Sequence, residues 1–283
     1  MTYTTLVARD TLQRHLQDPG WIVFDCRFNL ADPAAGEIAY RESHIPNARY
    51  VHLDRDLSGP KTSASGRHPL PNPEILARKL GAWGVDNHTQ VVAYDDAGGS
   101  MAARLWWLLR WLGHDAVAVL DGGFNRWREE GRPLNAQPPR LEAAKFETRI
   151  QTNAWVDGAH IERNLVNKQD VILDARAQPR FAGQVEPIDP IAGHIPGALN
   201  RPFDSNLDVH GDFQSPTELE KAFRRLLPNT EPTHVVHMCG SGVTACHNLL
   251  AMEIAGLSGS RLYAGSWSEW ITDPRRPRAK GKD

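Results

Sequence analysis

A cysteine that precedes a glycine-rich loop is the residue of this chain best suited to nucleophilic chemistry. Cys239 follows an apolar run, and the loop 240–244 leads from it into a helical pattern. Backbone N–H groups at the start of a helix have no intrahelical partners, and the helix dipole adds positive potential there, so both favour the thiolate. Glycine allows such a loop to curl until several N–H groups approach one sulfur. The pattern predicts a catalytic Cys239 whose reacting sulfur is held by the loop residues Gly240, Gly242, Val243 and Thr244.

Three other kinds of site, and a purely structural role, compete for the same loop. Gly240-x-Gly242-x-x-Ala245 fits a dinucleotide fingerprint, but no acidic residue lies about 20 positions further on to hold a ribose. A cysteine phosphatase would need an arginine to clamp phosphate at the position of Ala245. Cys-x-x-Cys and His-x-x-x-His pairs are absent from the sequence, which disfavours a metal site. A buried structural cysteine is the remaining alternative, and the glycines and the strand-to-helix position argue against it.

The composition excludes several classes of partner. The 283 residues carry 32 Lys and Arg against 34 Asp and Glu, so the net charge of −2 gives no reason to expect nucleic acid or a membrane surface. No apolar run approaches the ~20 residues of a spanning helix, and the N-terminus lacks the pattern of a secretory signal. Three cysteines are too few for a disulfide framework. We therefore expect a cytoplasmic protein with reduced cysteines.

Four sequence blocks recur in the same order in the two halves of the chain, at offsets between 143 and 150 positions. Residues 23–27 match 172–176, 44–48 match 194–198, 91–95 match 235–239, and 122–127 match 265–270. This pattern indicates a duplicated domain rather than a solenoid array. The proline-rich join 133–139 places the boundary, with a first domain at 1–135, a linker at 136–150 and a second domain at 151–283. The basic tail, 274–283, is expected to be a solvated, frayed end.

Both halves predict an α/β fold. Short apolar runs bounded by Asp, Gly and Pro indicate buried parallel strands at 21–24, 91–94, 116–120, 171–173, 235–238 and 261–263. Helical patterns lie between them at 73–80, 100–112, 216–227 and 244–255. Such alternation predicts one mainly parallel sheet, flanked by helices, in each half.

These features closely resemble the two-domain rhodanese-type sulfurtransferases, over about residues 5–273. The resemblance rests on Cys239-Gly240-Ser241-Gly242-Val243-Thr244-Ala245, the paired H-I-P-[NG]-A blocks, Leu173-Asp174-Ala175-Arg176 and Gly265-Ser266-Trp267-Ser268-Glu269-Trp270. Within the family, C-G-S-G-V-T is similar to the 3-mercaptopyruvate enzymes, whereas the thiosulfate enzymes more often carry C-R-K-G-V-T. The resemblance implies tandem rhodanese-like domains, a non-catalytic one followed by a catalytic one, without metal or organic cofactor.

The resemblance also implies the chemistry and its partners. Cys239 would take sulfane sulfur from a small donor, hold it as a persulfide, and pass it to a thiol, a thioredoxin-like acceptor or cyanide. A 3-mercaptopyruvate donor is favoured, and thiosulfate is the alternative. A non-catalytic binding or sulfur-sensing module is the alternative from a different class, and a test of turnover separates the two. We expect the protein to be a monomer.

Residues outside the loop receive roles by the same resemblance. Asp54 and His68 would meet Ser241 in a relay that delivers a proton to the leaving enolate. The alternative is that His68 only makes hydrogen bonds within its loop and that Asp54 is a solvated turn residue. Arg180 matches a family arginine that binds the donor's anionic group; the alternative is a surface arginine paired with a carboxylate. Ile188 stands where the family carries a second arginine, which leaves the choice of donor open.

The first half is expected to be catalytically silent, because Asp95 occupies the position equivalent to Cys239 and cannot accept sulfane sulfur. The following residues, 97–101, are not expected to reproduce the cradle of backbone donors. His44 and His194 recur in both halves, which favours a structural role for each. Cys246 is expected to be a buried packing thiol.

Overall fold

The chain folds as two compact units, each built on a five-stranded parallel sheet with helices. The computed structural model describes residues 2–140 and 142–281. The first unit contains the described residues up to Gly59, Leu70–Gln151 and Val209–Phe213. The second contains Pro60–Pro69, Thr152–Asp208 and the described residues from Gln214 onwards. Among the described residues, no helix has the length and apolar character needed to cross a membrane.

The first unit has five strands: β1 Leu6–Val7, β2 Trp21–Asp25, β3 Arg49–Tyr50, β4 Gln90–Tyr94 and β5 Val117–Leu120. Their order in the sheet is β1-β5-β4-β2-β3, with the long central strands β2 and β4 paired over their full length. Its helices are α1 Arg9–His15, α2 Ala35–Glu42, α3 Pro73–Ala82, α4 Ala102–Trp111 and α5 Gly123–Glu129.

The second unit also has five strands: β6 Trp155–Val156, β7 Val171–Asp174, β8 Leu199–Asn200, β9 Val235–Met238 and β10 Arg261–Tyr263. Their order in the sheet, β6-β10-β9-β7-β8, repeats that of the first unit. Its helices are α6 Gly158–Asn167, α7 Gln178–Phe181, α8 Pro216–Leu226, α9 Ala245–Ile254 and α10 Ser266–Trp270, with 3-10 turns at Phe203–Asn206 and Pro232–His234. The predicted α/β architecture, repeated in each half, is confirmed.

The central strands form because they are continuous apolar runs that become buried on both faces of the sheet. Every residue of β4, β5 and β9 is buried. Local signals start the helices: Asn72 accepts hydrogen bonds from the N–H groups of Glu74 and Ile75, and Ser215 forms a capping box with Glu218. Each of these two helices begins with proline, whose missing N–H costs nothing in the first turn.

The repeated Asp-x-Arg blocks form the same buried ion pair in both units. Asp25 accepts hydrogen bonds from Nε and Nη2 of Arg27, and Asp174 accepts them from Nε and Nη2 of Arg176. Each pair lies at the carboxyl end of its strand, where Asp25 is paired with Tyr94 of β4 and Asp174 with Met238 of β9. The blocks therefore anchor the sheet edge from which Asp95 and Cys239 emerge.

The basic tail is ordered, so the expectation of a frayed end is wrong as far as residue 281. The backbone of Ala279 pairs with His194 through two hydrogen bonds of 2.9 Å, and the N–H of Gly281 donates to the carbonyl of Ala182. Such backbone pairing does not depend on apolar side chains, which is why the composition of the tail did not reveal it. Residues 282 and 283 lie outside the described residues.

Residues in the predicted linker 136–150 carry backbone contacts of their own. The N–H of Ala144 donates to Gly81 at 2.8 Å, and the N–H of Arg149 donates to Leu112 at 2.7 Å. Phe146 is buried. These residues group with the first unit, apart from residue 141, which lies outside the described residues.

Candidate active site

Cys239 lies directly after β9 and is 2% exposed. Gly242 turns the loop back with a φ of +75°, and its N–H donates to the Cys239 sulfur at 3.2 Å. A side chain at Gly242 would collide with the carbonyl of Ala264, so this position needs glycine for space as well as for its backbone angle. The helix α9 starts at Ala245, with Thr244 as its N-cap residue, so Cys239 lies five residues before the N-cap.

The loop backbone is fixed by the start of α10. The N–H of Trp267 donates to the carbonyl of Cys239 at 3.0 Å, and the N–H of Ser268 donates to that of Gly240 at 2.9 Å. The N–H of Cys239 donates to the Ser266 hydroxyl at 3.1 Å. The thiol of Cys246 donates to the carbonyl of Gly242 at 3.4 Å and is fully buried, as expected for a packing thiol. These bonds hold the backbone of Cys239 in one position without involving its sulfur.

Ser241 and His68 form a buried hydrogen-bonded pair within the second unit. The hydroxyl of Ser241 lies 2.7 Å from Nδ1 of His68, and the two residues are 5% and 2% exposed. The segment that carries His68 is held to the second unit by its neighbours. The N–H of Arg67 donates to Ser268 Oγ at 3.0 Å, and a side chain at Gly66 would lie 3.0 Å from the same oxygen. A serine two residues after Cys239 is thus hydrogen-bonded to an imidazole that can accept or return its proton.

A cluster of alternating charges lies beside Gly240. Nε and Nη2 of Arg180 pair with the carboxylate of Glu186 at 3.0 and 2.7 Å, and Nη2 also contacts Asp189 at 3.2 Å. The other oxygen of Asp189 accepts a hydrogen bond from Nη1 of Arg67. Burial and the charge of Arg67 act in opposite directions on Asp189, and burial dominates, so the pKa of Asp189 is raised. We call these four residues the Arg67–Arg180 cluster.

Comparison with known proteins agrees with this geometry. A family model described as a rhodanese-like domain matches the chain twice, at residues 8–130 and 159–273. The chain belongs to the rhodanese family. A Pseudomonas aeruginosa rhodanese relative named "probable 3-mercaptopyruvate sulfurtransferase" is 49% identical over 99% of this chain and 100% of its own length.

Other rhodanese relatives carry the names of both donor classes. A mouse protein named thiosulfate sulfurtransferase is 36% identical over 95% of this chain and 92% of its own length. The solved structure of 3-mercaptopyruvate sulfurtransferase from Leishmania major superposes with a TM-score of 0.84 at 31% identity, covering 97% of this chain and 75% of that one. The predicted family membership is therefore confirmed.

The first rhodanese-like domain also forms a cradle of backbone donors, so the expectation that residues 97–101 would not form one is wrong. The carboxylate of Asp95 accepts four backbone hydrogen bonds of 2.7–2.8 Å, from the N–H groups of Ala97, Gly99, Met101 and Ala102. Gly98 and Gly99, both with positive φ, supply the curvature. Asp95 is fully buried, so its own carboxylate fills the concavity.

The repeated histidines have structural contacts in both rhodanese-like domains. Nδ1 of His44 lies 2.7 Å from the carbonyl of Tyr40, and Nδ1 of His194 lies 2.8 Å from that of Phe181. Each imidazole stacks on the ring of the same residue. This agrees with the structural role expected for them.

The predicted site residues are divided between the two units, with Asp54 in the first and the others in the second. Cys239, Ser241, His68 and Arg180 all belong to the second unit, around the loop 240–244. Asp54 belongs to the first unit, where its N–H donates to Nδ1 of His52 at 3.1 Å. Its place in the relay stays a prediction.

Sequence reasoning missed three of the four members of the Arg67–Arg180 cluster: Arg67, Glu186 and Asp189. Arg67 directly precedes His68, and Asp189 directly follows Ile188, so both lie next to positions that the motifs singled out. Their adjacency in sequence was the available signal.

Among the described residues, no group of three or more His, Cys, Asp and Glu side chains is arranged to hold a metal ion.

Proposed function

We propose that this protein is a sulfurtransferase that moves sulfane sulfur from 3-mercaptopyruvate to a thiol acceptor through a persulfide on Cys239. The observation that carries the proposal is the buried pair of Ser241 and His68, 2.7 Å apart, next to a cysteine at the end of β9. A thiosulfate donor releases sulfite, which needs no proton on carbon. A mercaptopyruvate donor releases an enolate, which must gain a proton on carbon, and the pair of Ser241 and His68 can supply that proton.

The first half-reaction breaks the carbon–sulfur bond of the donor. The Cys239 thiolate attacks the donor sulfur, a sulfur–sulfur bond forms, and the electron pair of the carbon–sulfur bond leaves on the pyruvate enolate. Hydrogen-bond donors aimed at a developing oxyanion stabilise it more in a buried site than in water. The Ser241 hydroxyl donates a proton to the enolate, and His68 returns a proton to Ser241. The proton of the donor thiol, released as the persulfide anion forms, replaces the one that His68 gives up. Asp54 is proposed to orient His68, as in other relays of this type.

The second half-reaction restores the enzyme. An acceptor thiolate, from a small thiol or a thioredoxin-like protein, attacks the outer sulfur of the persulfide. The acceptor leaves with the sulfur, and Cys239 leaves as the thiolate. No external oxidant or reductant is consumed in this sequence. The loop residues Gly240, Gly242, Val243 and Thr244 are proposed to hold the sulfur that is carried, and the hydrogen bond from the N–H of Gly242 to the Cys239 sulfur supports this.

Arg180 is proposed to hold the anionic group of the donor. Its guanidinium lies beside Gly240, one residue from the nucleophile, and a planar fork of N–H donors suits a carboxylate.

The proposal further includes a monomeric enzyme in a reducing, cytoplasmic setting, since all three cysteines are buried without a disulfide. Light scattering on the purified chain tests the monomer.

A thiosulfate:cyanide sulfurtransferase is the second candidate, favoured by two guanidinium groups near the loop and by the thiosulfate sulfurtransferases among the relatives. The deciding experiment compares kcat/KM for 3-mercaptopyruvate and for thiosulfate with one common acceptor. We expect 3-mercaptopyruvate to be the better donor. A higher kcat/KM for thiosulfate would overturn the donor assignment, and no turnover with either would favour a non-catalytic binding module.

A further inference from the structure

Two guanidinium groups converge on one side of the Cys239 loop. A methyl group added to the Cα of Gly240 would lie 2.9 Å from Nη2 of Arg67, 3.6 Å from Nη2 of Arg180 and 3.8 Å from Nη1 of Arg180. Position 240 is the residue next to the proposed nucleophile. Any donor that places its sulfur on Cys239 must therefore place the rest of itself close to these cations.

Each of the two guanidinium groups retains N–H donors on the side of Gly240. In the part of the chain that the structure describes, the hydrogen bonds of the Arg67 side chain use Nη1, and Nε has no partner although it is buried. Those of Arg180 use Nε and Nη2. Nη2 of Arg67 and Nη1 of Arg180 are thus available to a bound anion.

The layering of the Arg67–Arg180 cluster places its cations towards solvent. The carboxylate side chains of Glu186 and Asp189 are only 4% and 3% exposed, whereas the side chains of Arg180 and Arg67 are 16% and 20% exposed. The carboxylates therefore support the guanidinium groups from beneath. Because two positive and two negative charges cancel, the cluster keeps its cations in place without a bound anion.

We propose that Arg67 is the second carboxylate-binding residue for the donor, in place of the arginine that Ile188 does not supply. The proposal further assigns to Asp189 the role of an internal competitor. Its carboxylate bridges Arg67 and Arg180, so it draws both guanidinium groups towards itself and weakens their hold on a 2-oxo acid. This inference rests on the proposed function and names a specificity-determining residue of the same site.

The test breaks the Arg67–Asp189 ion pair from each side in turn and measures KM for 3-mercaptopyruvate at saturating acceptor. Arg67→Gln removes N–H groups that bind the carboxylate of 3-mercaptopyruvate, so KM should rise roughly 10- to 150-fold while kcat is largely retained. Asp189→Asn leaves a net positive cluster and should lower KM about fivefold. Arg224→Gln, at an exposed arginine of α8 paired with Glu220, is the matched control and should leave both constants unchanged.

The opposite signs of the two effects separate donor binding from a structural role. If the ion pair only positioned the segment of His68, both variants would shift the constants in the same direction, mainly through kcat, and the proposal would be wrong. Direct titration of 3-mercaptopyruvate into Cys239→Ser, with and without Asp189→Asn, repeats the test without turnover and without a change at Arg67. Tighter binding with Asp189→Asn supports the proposal, and unchanged or weaker binding contradicts it.

Persulfide formation distinguishes failure of this inference from failure of the proposed function. If donor-treated wild-type protein forms no persulfide on Cys239, the proposed function itself is wrong. If persulfide forms with the same half-saturating donor concentration in the wild type and in Arg67→Gln, sulfur transfer stands and only the role of Arg67 is lost.

Discussion

At the scale of single residues, the proposed nucleophile, Cys239, and the pair proposed to move a proton, Ser241 and His68, are held in different ways. The backbone of Cys239 is held by α10 through Ser266 and Trp267, while the neighbouring Ser241 is hydrogen-bonded to His68. The sulfur receives one backbone hydrogen bond from Gly242. The sequence predicted Cys239 as the nucleophile from its loop and strand-to-helix position, and the family resemblance predicted that His68 and Ser241 would meet, as they do. They did not predict the Arg67–Asp189 ion pair, which depends on how two distant segments approach.

Substitution of the pair should affect the two donors differently. Ser241→Ala should lower kcat for 3-mercaptopyruvate by about 100-fold, because general acid catalysis at the enolate is lost. The loss should be much smaller for thiosulfate, whose sulfite leaving group needs no proton on carbon. Ser258→Ala, an exposed serine of the second unit, serves as the control. Steady-state kinetics with both donors makes the measurement.

The double variant tests whether the two residues act as one unit. Ser241→Ala combined with His68→Ala should be no slower than the slower single variant, since groups that share one proton path are not additive. Equal losses for both donors, or fully additive losses, would contradict the proton-delivery role and indicate a structural pair.

At the scale of the elements, the same strand–loop–helix unit serves two purposes. After β9 the loop 240–244 curls around a sulfur, and after β4 the loop 96–101, which is one residue longer, curls around the carboxylate of Asp95. The sequence predicted both strands and both helices but not the second cradle. The donors are backbone N–H groups, and a Gly-Gly step at 98–99 provides the curvature that a Gly-x-Gly pattern was expected to mark.

Asp95→Asn should destabilise the first rhodanese-like domain. The two N–H groups that donate to Oδ2, from Met101 and Ala102, would face an amide NH2 and become buried without an acceptor. Each such group costs about 1–3 kcal/mol, so the free energy of unfolding should fall by roughly 2–6 kcal/mol. Asp96→Asn, at the exposed neighbouring residue, should change it by no more than about 0.5 kcal/mol. Denaturant unfolding of the two variants provides the comparison, and equal stabilities would show that the carboxylate does not hold the loop.

At the scale of the whole molecule, duplication explains what the sequence could and could not predict. The repeated blocks predicted two parallel sheets, and both sheets have the same strand order. The two-residue strands β1, β3, β6 and β8 were missed because so short a segment carries no periodicity. Residues 60–69 belong to the second unit although the residues on either side belong to the first, and residues 209–213 show the reverse. No shift in composition indicates either exchange.

Repetition also identifies which differences between the two halves bear on function. Both units keep the buried Asp-x-Arg pair and the stacked histidine. Both also keep a backbone hydrogen bond to the residue that follows the central strand: the N–H of Phe124 donates to the carbonyl of Asp95, and the N–H of Trp267 to that of Cys239. Asp95 and Cys239 themselves differ. One scaffold therefore carries either its own carboxylate or a thiol at the same strand end, and only the thiol can accept a sulfur atom.

The most direct test of this account is the mass of Cys239 after exposure to the donor without an acceptor. Wild-type protein treated with 3-mercaptopyruvate should gain about 32 Da, one sulfur, on the peptide that contains Cys239, and a thiol acceptor should remove it. The nearly isosteric Cys239→Ser variant should gain nothing, and the peptides of Cys26 and Cys246 should stay unchanged. A sulfur found on Cys26 or Cys246 instead, or no added mass on any cysteine, would contradict the central claim that Cys239 carries the transferred sulfur.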